Sequence, residues 1–194
     1  MKNIVVINGH SKEGSFNEAI ANTYADHKRT IGHRVETLHL YKMTFDPVLK
    51  TEYKEGNAKQ PLEEDLKRAS ELIQNSDHLV FIYPVWWGNM PAILKGFIDR
   101  VFVPGFAFRY HKDSPFWDKL LSGKSATVIT TSDSPNFWLK LVNWSAPSRV
   151  LTKSVLEFCG IKTKKVLNFA EVRKSTPASR EKFLKKVQTL DSHL

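Results

Sequence analysis

The stretch INGHSKEGSFNEAIA, residues 7–21, decides how this chain is read. An apolar run, Ile4, Val5, Val6 and Ile7, leads into it, as in a strand of residues 3–8 buried on both faces. Beyond it, Ala19, Ile20, Tyr24 and Ala25 fall on one side of a helix expected over residues 17–29. Between strand and helix lie one histidine, two glycines and two serines. The spacing of Gly9, Gly14 and Ser15 approaches the P-loop pattern, but Ser15 stands where that pattern has the lysine that reaches the outer phosphates. The three spaced glycines of a dinucleotide loop are missing as well. What remains is a strand, a hydroxyl-rich loop and a helix start. A helix N-terminus holds anions through its free N–H groups and its dipole. Ser11, Ser15 and Asn17 add uncharged donors. The loop therefore suits a phosphate that is held without being activated, and equally a helix capped by Ser15 or Asn17.

Further along, strand and helix patterns alternate. Residues 34–40 alternate like a strand, 41–60 read as a polar loop, and a helix is expected from Pro61 to Gln74. HLVFIYPVW, residues 78–86, is the most strand-like run, and Pro91 opens a helix to about Phe102. Residues 103–117 form a loop rich in glycine and aromatics; 125–132 and 164–169 read as strands. Helix patterns over 136–159 break near Pro147, and the last helix is expected over 178–190. Five strands alternating with helices predict an α/β fold, one domain over residues 1–194 with a five-stranded parallel sheet and helices on both faces. Ligands of such sheets bind outside the carboxyl ends of the strands, here loops 8–17, 84–91 and 130–138.

The second of these loops carries Trp86 and Trp87 beside Gly88, and the third carries Thr130, Thr131 and Ser132. Tryptophans past a buried strand offer ring contacts, a glycine admits close backbone approach, and the hydroxyls add donors. Three loops converging on one ligand imply a phosphate at one end and a planar ring at the other, the shape of FMN.

The chain has a net charge of +9, and residues 160–190 carry nine basic residues against Glu171 and Glu181. A solvated basic face accounts for that excess, with a general attraction for anionic ligands beside it. No zinc-finger spacing or RNA-binding aromatic signature points to nucleic acid. The single cysteine, Cys159, excludes an internal disulfide, and the seven histidines show no metal-ligand spacing. A soluble, cytoplasmic protein is expected, because no signal peptide opens the chain and no apolar run approaches membrane-spanning length.

GHSKEGSFN (9–17), LHLYKMTFDPVL (38–49), PVWWGNMPAILKGFIDRVFVPGFAFRY (84–110) and EFCGI (157–161) resemble the flavodoxin-like NAD(P)H:quinone oxidoreductases, a family that includes ancillary proteins of bacterial potassium-efflux systems. The resemblance implies a flavin at the carboxyl edge of the sheet, NAD(P)H as co-substrate, two-electron reduction of a small acceptor such as a quinone, and a homodimer. By position it places His10, Ser11, Ser15, Phe16 and Asn17 at the flavin phosphate. Pro84, Val85, Trp86, Trp87 and Gly88 then line the ring, and Thr130, Thr131 and Ser132 meet its polar edge. Phe106, Phe108 and Trp138 are expected around the acceptor. Where family members often follow two threonines with two glycines, this chain has Ser132 and Asp133. No residue matches the family's proton-handling tyrosine and histidine, so the sequence names no catalytic residue. FMN and FAD both remain open as cofactor. Two other roles stay open: a regulatory subunit docked on a membrane transporter, and a single-electron carrier.

Overall fold

The computed structural model describes residues 1–51, 60–142 and 144–191. Five parallel strands form the central sheet: β1 (Asn3–Asn8), β2 (Arg34–His39), β3 (His78–Pro84), β6 (Ser125–Thr131) and β7 (Lys162–Phe169). Their order is β2-β1-β3-β6-β7, so the winding reverses between β1 and β3. All seven residues of β3 are buried, as its unbroken apolar run requires, whereas β7 is an edge strand and mostly open.

Each face of the sheet has its own core. Val5, Ile7, Phe81, Tyr83 and Val128 pack toward α2 (Glu64–Gln74), α3 (Ala92–Val101) and the helical segment made of α4 (Ala146–Arg149) and the π-helical Val150–Glu157. Ile4, Val6, Val80, Ile82 and Ile129 pack toward α1 (Phe16–Thr30) and α5 (Pro177–Gln188). At the amino end of the strands the buried Asp191 carboxylate accepts hydrogen bonds from Tyr24 (2.9 Å) and Thr127 (2.8 Å), which ties the end of the chain to the sheet.

Two elements differ from expectation. The second helix begins at Glu64 instead of Pro61, because the Pro61 carbonyl and the Glu63 carboxylate are both taken by the buried Arg100 guanidinium. Within 103–117, the loop instead folds into a short hairpin of β4 (Phe108–Tyr110) and β5 (Trp117–Lys119). Its aromatics pack inward: the Trp117 indole stacks on Phe158 with centroids 4.5 Å apart. Part of the expected polar loop, residues 52–59, lies outside the described residues.

Candidate functional site

The reversal between β1 and β3 leaves a cleft of about 280 Å³ at the carboxyl edge of the sheet. Four loops enter it in register. The Gly9 N–H bonds to Ile82 O (2.8 Å), Val85 N–H to Thr131 O (2.7 Å), and Ser132 N–H to Phe169 O (2.9 Å). Val172 N–H then bonds to Ser132 O, adding the turn that follows β7. Gly9 has a packing reason: a Cβ there would lie 2.9 Å from a Leu94 methyl, so only glycine lets the loop settle on α3.

Residues 10–17 form one end of the cleft. Asn8, fully buried, accepts the His10 N–H and contacts the His39 ring, which fixes where the loop leaves the strand. The His10 ring accepts the Lys12 N–H on Nδ1 (3.1 Å) and packs edge-on against Trp86 at 5.4 Å. Burial first, and then the Lys12 charge, hold its pKa below the ordinary histidine value, so the ring is neutral at pH 7. Ser15 does cap α1, accepting the Glu18 N–H at 3.2 Å. Glu18 in turn accepts the Gly14 N–H (2.7 Å) and the Tyr41 hydroxyl (2.7 Å), closing the loop from behind. The N–H groups of Phe16 and Asn17, the first two helical residues, have no acceptor within the helix.

Asn17 supplies the most telling atom. It is 3% exposed, and its Oδ1 accepts the Thr131 hydroxyl at 2.9 Å. Its Nδ2, though buried, has no hydrogen-bond partner. An unpaired buried donor costs about 1–3 kcal/mol, and this one belongs to a residue lining the cleft. The other cleft residues supply the matching charge. Lys12, Arg173 and Arg180 line it with a single acid, Asp133, which is already paired with Arg173 at 2.9 Å. Arg180 is half-buried over the Phe16 ring (5.4 Å) and is held by the Ser175 hydroxyl at 2.7 Å. A ligand with an anionic group satisfies both the orphan amide and the cations.

The other end is built by the β3 loop. Trp86 and Asn89 exchange backbone hydrogen bonds (2.9 and 3.0 Å) across Trp87 and Gly88, both of which have positive φ. This is a two-residue turn of the type that needs left-handed backbone at both central positions. Gly88 adopts it freely, whereas Trp87 does so under strain and stands fully in solvent.

Of the sequence candidates, the cleft gathers His10, Ser15, Phe16, Asn17, Pro84, Val85, Trp86, Thr131 and Ser132. Ser11, Trp87 and Gly88 belong to its loops without lining it. Thr130 does not turn toward it. Strand alternation points its hydroxyl to Asn168 (2.9 Å) and into a second cleft along β7. Phe106 and Phe108 line neither cleft. Phe108 is 9% exposed and packs on Phe158 at 4.9 Å, and Phe106 rests against the same core. Trp138 lies on the segment after β6, half exposed and apart from the lining residues. Lys12, Asp133, Val172, Arg173 and Arg180 join the cleft without having been singled out. Cys159 plays no part: burial pushes its thiol up to about 12, which leaves it inert.

The family described as a flavodoxin-like fold matches residues 2–194. NAD(P)H dehydrogenase [quinone] 1 of Cavia porcellus is 28% identical over 188 residues, covering 82% of this chain and 65% of that protein. The chain belongs to the flavodoxin-like NAD(P)H:quinone oxidoreductase family. It spans less than two thirds of the length of the Cavia porcellus relative. The crystal structure of Smu.1420 from Streptococcus mutans is 35% identical, with TM-score 0.78 over 95% of this chain and 96% of that one. An FMN-dependent NADH-azoreductase from Bacillus anthracis, solved in complex with FMN, shares the fold at 19% identity and TM-score 0.71, over 97% of this chain and 96% of that one.

Proposed function

We propose that the chain binds a flavin, FMN or FAD, across the β1–β3 cleft and uses NAD(P)H to reduce quinones. The buried, unpaired Asn17 amide carries this reading, since a phosphate is the group that would complete it. Residues 10–17 would hold the phosphate, with Lys12 and Arg180 balancing its charge. Pro84, Val85 and Trp86 would face one side of the ring, and the loop at Thr131 and Ser132 its polar edge. When bound, the flavin supplies the hydride chemistry, accepting from NAD(P)H and delivering to the acceptor in a ping-pong sequence. The protein's part is placement. The Asp133–Arg173 pair fixes the loop where the family often has two glycines, and brings a guanidinium to the cleft. Fluorescence-quenching titration with FMN and FAD is the test. Saturable binding by one of them is expected with Kd below ~10 μM, about 7 kcal/mol. Absence of such binding to either would overturn the reading.

The proposal includes a homodimer. Most aromatics of residues 102–117 are used internally, but Tyr110 and Phe116 on the β4–β5 hairpin remain 57% and 69% exposed. A second copy meeting through that hairpin would cover both and bring apolar surface to an acceptor pocket, the role that Phe106 and Phe108 do not fill within one chain. Sedimentation velocity is expected to show a dimer that Tyr110→Asp weakens. A wild-type monomer with full quinone reductase activity would refute the coupling.

A further inference from the structure

We infer that His39 is a positioning residue for the phosphate loop: its neutral ring holds the start of that loop through Asn8, and taking up a proton lets it go. His39 ends β2 and lines neither cleft. Its half-buried ring meets the fully buried Asn8, which ends β1 directly before the loop. Hydrogen bonds fix the direction of this relay. Asn8 Oδ1 accepts the His10 N–H at 3.2 Å. That assigns the oxygen, so the atom Asn8 turns toward His39, 3.1 Å from Nδ1, is its Nδ2 donor. An amide nitrogen accepts no hydrogen bond, so Nδ1 is the acceptor. The His39 ring is therefore neutral, with its proton on Nε2.

Protonation reverses one link of the relay at the expense of the other. With a proton on Nδ1, two donors face each other across 3.1 Å. Turning the Asn8 amide over gives the imidazolium an oxygen but sets Nδ2 against the His10 N–H. The turn is favoured, because a hydrogen bond to a cation is about twice as strong as a neutral one. Asn8 is 0% exposed, so no solvent stands ready to replace the acceptor that His10 loses. The groups around the ring set when this happens. Burial first holds the His39 pKa below the ordinary histidine value; the Glu18 charge on α1 opposes it, and Lys42 in the turn after β2 adds to it. The Tyr41 ring lies 5.7 Å away, and Lys42 pairs with Glu13 at 3.7 Å. The hold on His10 is thus complete above the ordinary value of about 6.5 and is lost as pH falls through the lower folded one. The other end of the loop stays fastened, since Gly14 and Tyr41 both donate to Glu18. On the flavin reading, which this inference deepens, a loop freed at His10 holds the phosphate less well; the relay itself does not depend on that reading.

Two measurements test it. In the full chain without flavin, heteronuclear NMR of the histidine rings at about pH 7.5 is expected to find the His39 proton on Nε2. Exchange of the His10 amide with solvent should speed up about tenfold as His39 titrates. Quenching titrations with FMN and FAD then compare the parent with His39→Gln, which keeps an acceptor for Asn8 and does not titrate. The ratio of the parent's flavin Kd to the variant's should rise about tenfold from about pH 7.5 to about pH 5.5. Taking the ratio cancels the second ionisation of the flavin phosphate, near pH 6, along with any titration of His10. An Nδ1 proton at about pH 7.5, a His10 amide indifferent to the titration, or parallel profiles for parent and variant would each overturn the inference. If the parent binds neither flavin at any pH, the flavin reading fails, and the ring proton and the His10 amide still decide the relay.

Discussion

Asn17→Asp is expected to lower flavin affinity by about three orders of magnitude while leaving the fold in place. Asn17 is the second residue of α1, where a carboxylate is favoured by the helix dipole when no ligand is present. The Thr131 hydroxyl, 2.9 Å from Oδ1, can go on donating to an aspartate. What changes is the other atom: Nδ2 becomes an oxygen and faces an incoming phosphate with negative charge. Two like charges about 4 Å apart at an effective dielectric near 20 repel by roughly 4 kcal/mol, or about a thousandfold in Kd. Asn17→Leu removes only the donor, so its loss should be smaller, about 1–3 kcal/mol. Ser15→Glu is a less clean probe, because Ser15 also caps α1, and losing the cap costs helix stability of about 1 kcal/mol. Quenching titrations beside far-ultraviolet circular dichroism decide the matter. An Asn17→Asp variant that folds and binds flavin as the parent does would show that the amide does not meet the phosphate.

The sheet was legible because its strands are written in the strongest local signal a sequence has. Residues 78–84 form an unbroken apolar run, and only a strand covered on both faces absorbs it. The rule that ligands gather at the carboxyl ends of strands then gave three of the four cleft loops. The fourth, after β7, was hidden by charge. Arg173 and Arg180 read as part of a solvated basic face, and nothing local separates a guanidinium folded over Phe16 from its neighbours on α5. Extending the carboxyl-end rule to the last strand would have found both. Thr130 faces away from the β1–β3 cleft for a different reason. Adjacent strand residues point to opposite faces, so Thr130 and Thr131 cannot serve one ligand through their side chains. Phe106 and Phe108 line neither cleft of the single chain, and a run of aromatics gives no hint of which way it folds. The β4–β5 hairpin turns Phe108 inward to meet Phe158, a partner fifty residues later in the chain.

Arg100→Met is expected to cost about 2–3 kcal/mol of folding stability, less than the full penalty for breaking a buried ion pair from one side, because the Glu63 carboxylate left behind is one-third exposed. Arg100 is 1% exposed and is the largest fully buried side chain among the described residues. Its guanidinium meets the Glu63 carboxylate at 2.8 Å and 3.2 Å, donates to Pro61 O at 2.7 Å, and donates to the Asp46 carbonyl. One side chain thereby fastens two separate stretches of the long β2–α2 connection to α3. The fit around it is close. One helical turn earlier, a Cβ on Gly96 would lie 2.3 Å from the Pro47 Cβ, so this connection is pressed onto the helix. Methionine fills similar volume but leaves a carboxylate and two carbonyls without their donor. Arg100→Met with Glu63→Gln should recover part of the loss, because the stranded charge is gone while the Asp46 N–H, 3.0 Å from Glu63, keeps an acceptor. Acid titration offers a second reading. Burial opposes ionisation of Glu63, but the Asp46 N–H and the guanidinium outweigh it and hold the pKa below the usual value. The stability that follows from this is present above the unfolded value of about 4.3 and is lost as pH falls through the folded one. In Arg100→Met that acid-side loss should shrink. Urea denaturation across pH 3–7 would show it as a flatter profile. A profile unchanged in both height and slope would mean that Arg100 fills space without holding charge. Leu94, on the same helix, supports Gly9 at the mouth of the cleft, so loosening α3 should reach the phosphate loop as well. Saturating flavin should then raise the variant's Tm, because ligand binding to the folded state alone shifts the folding equilibrium.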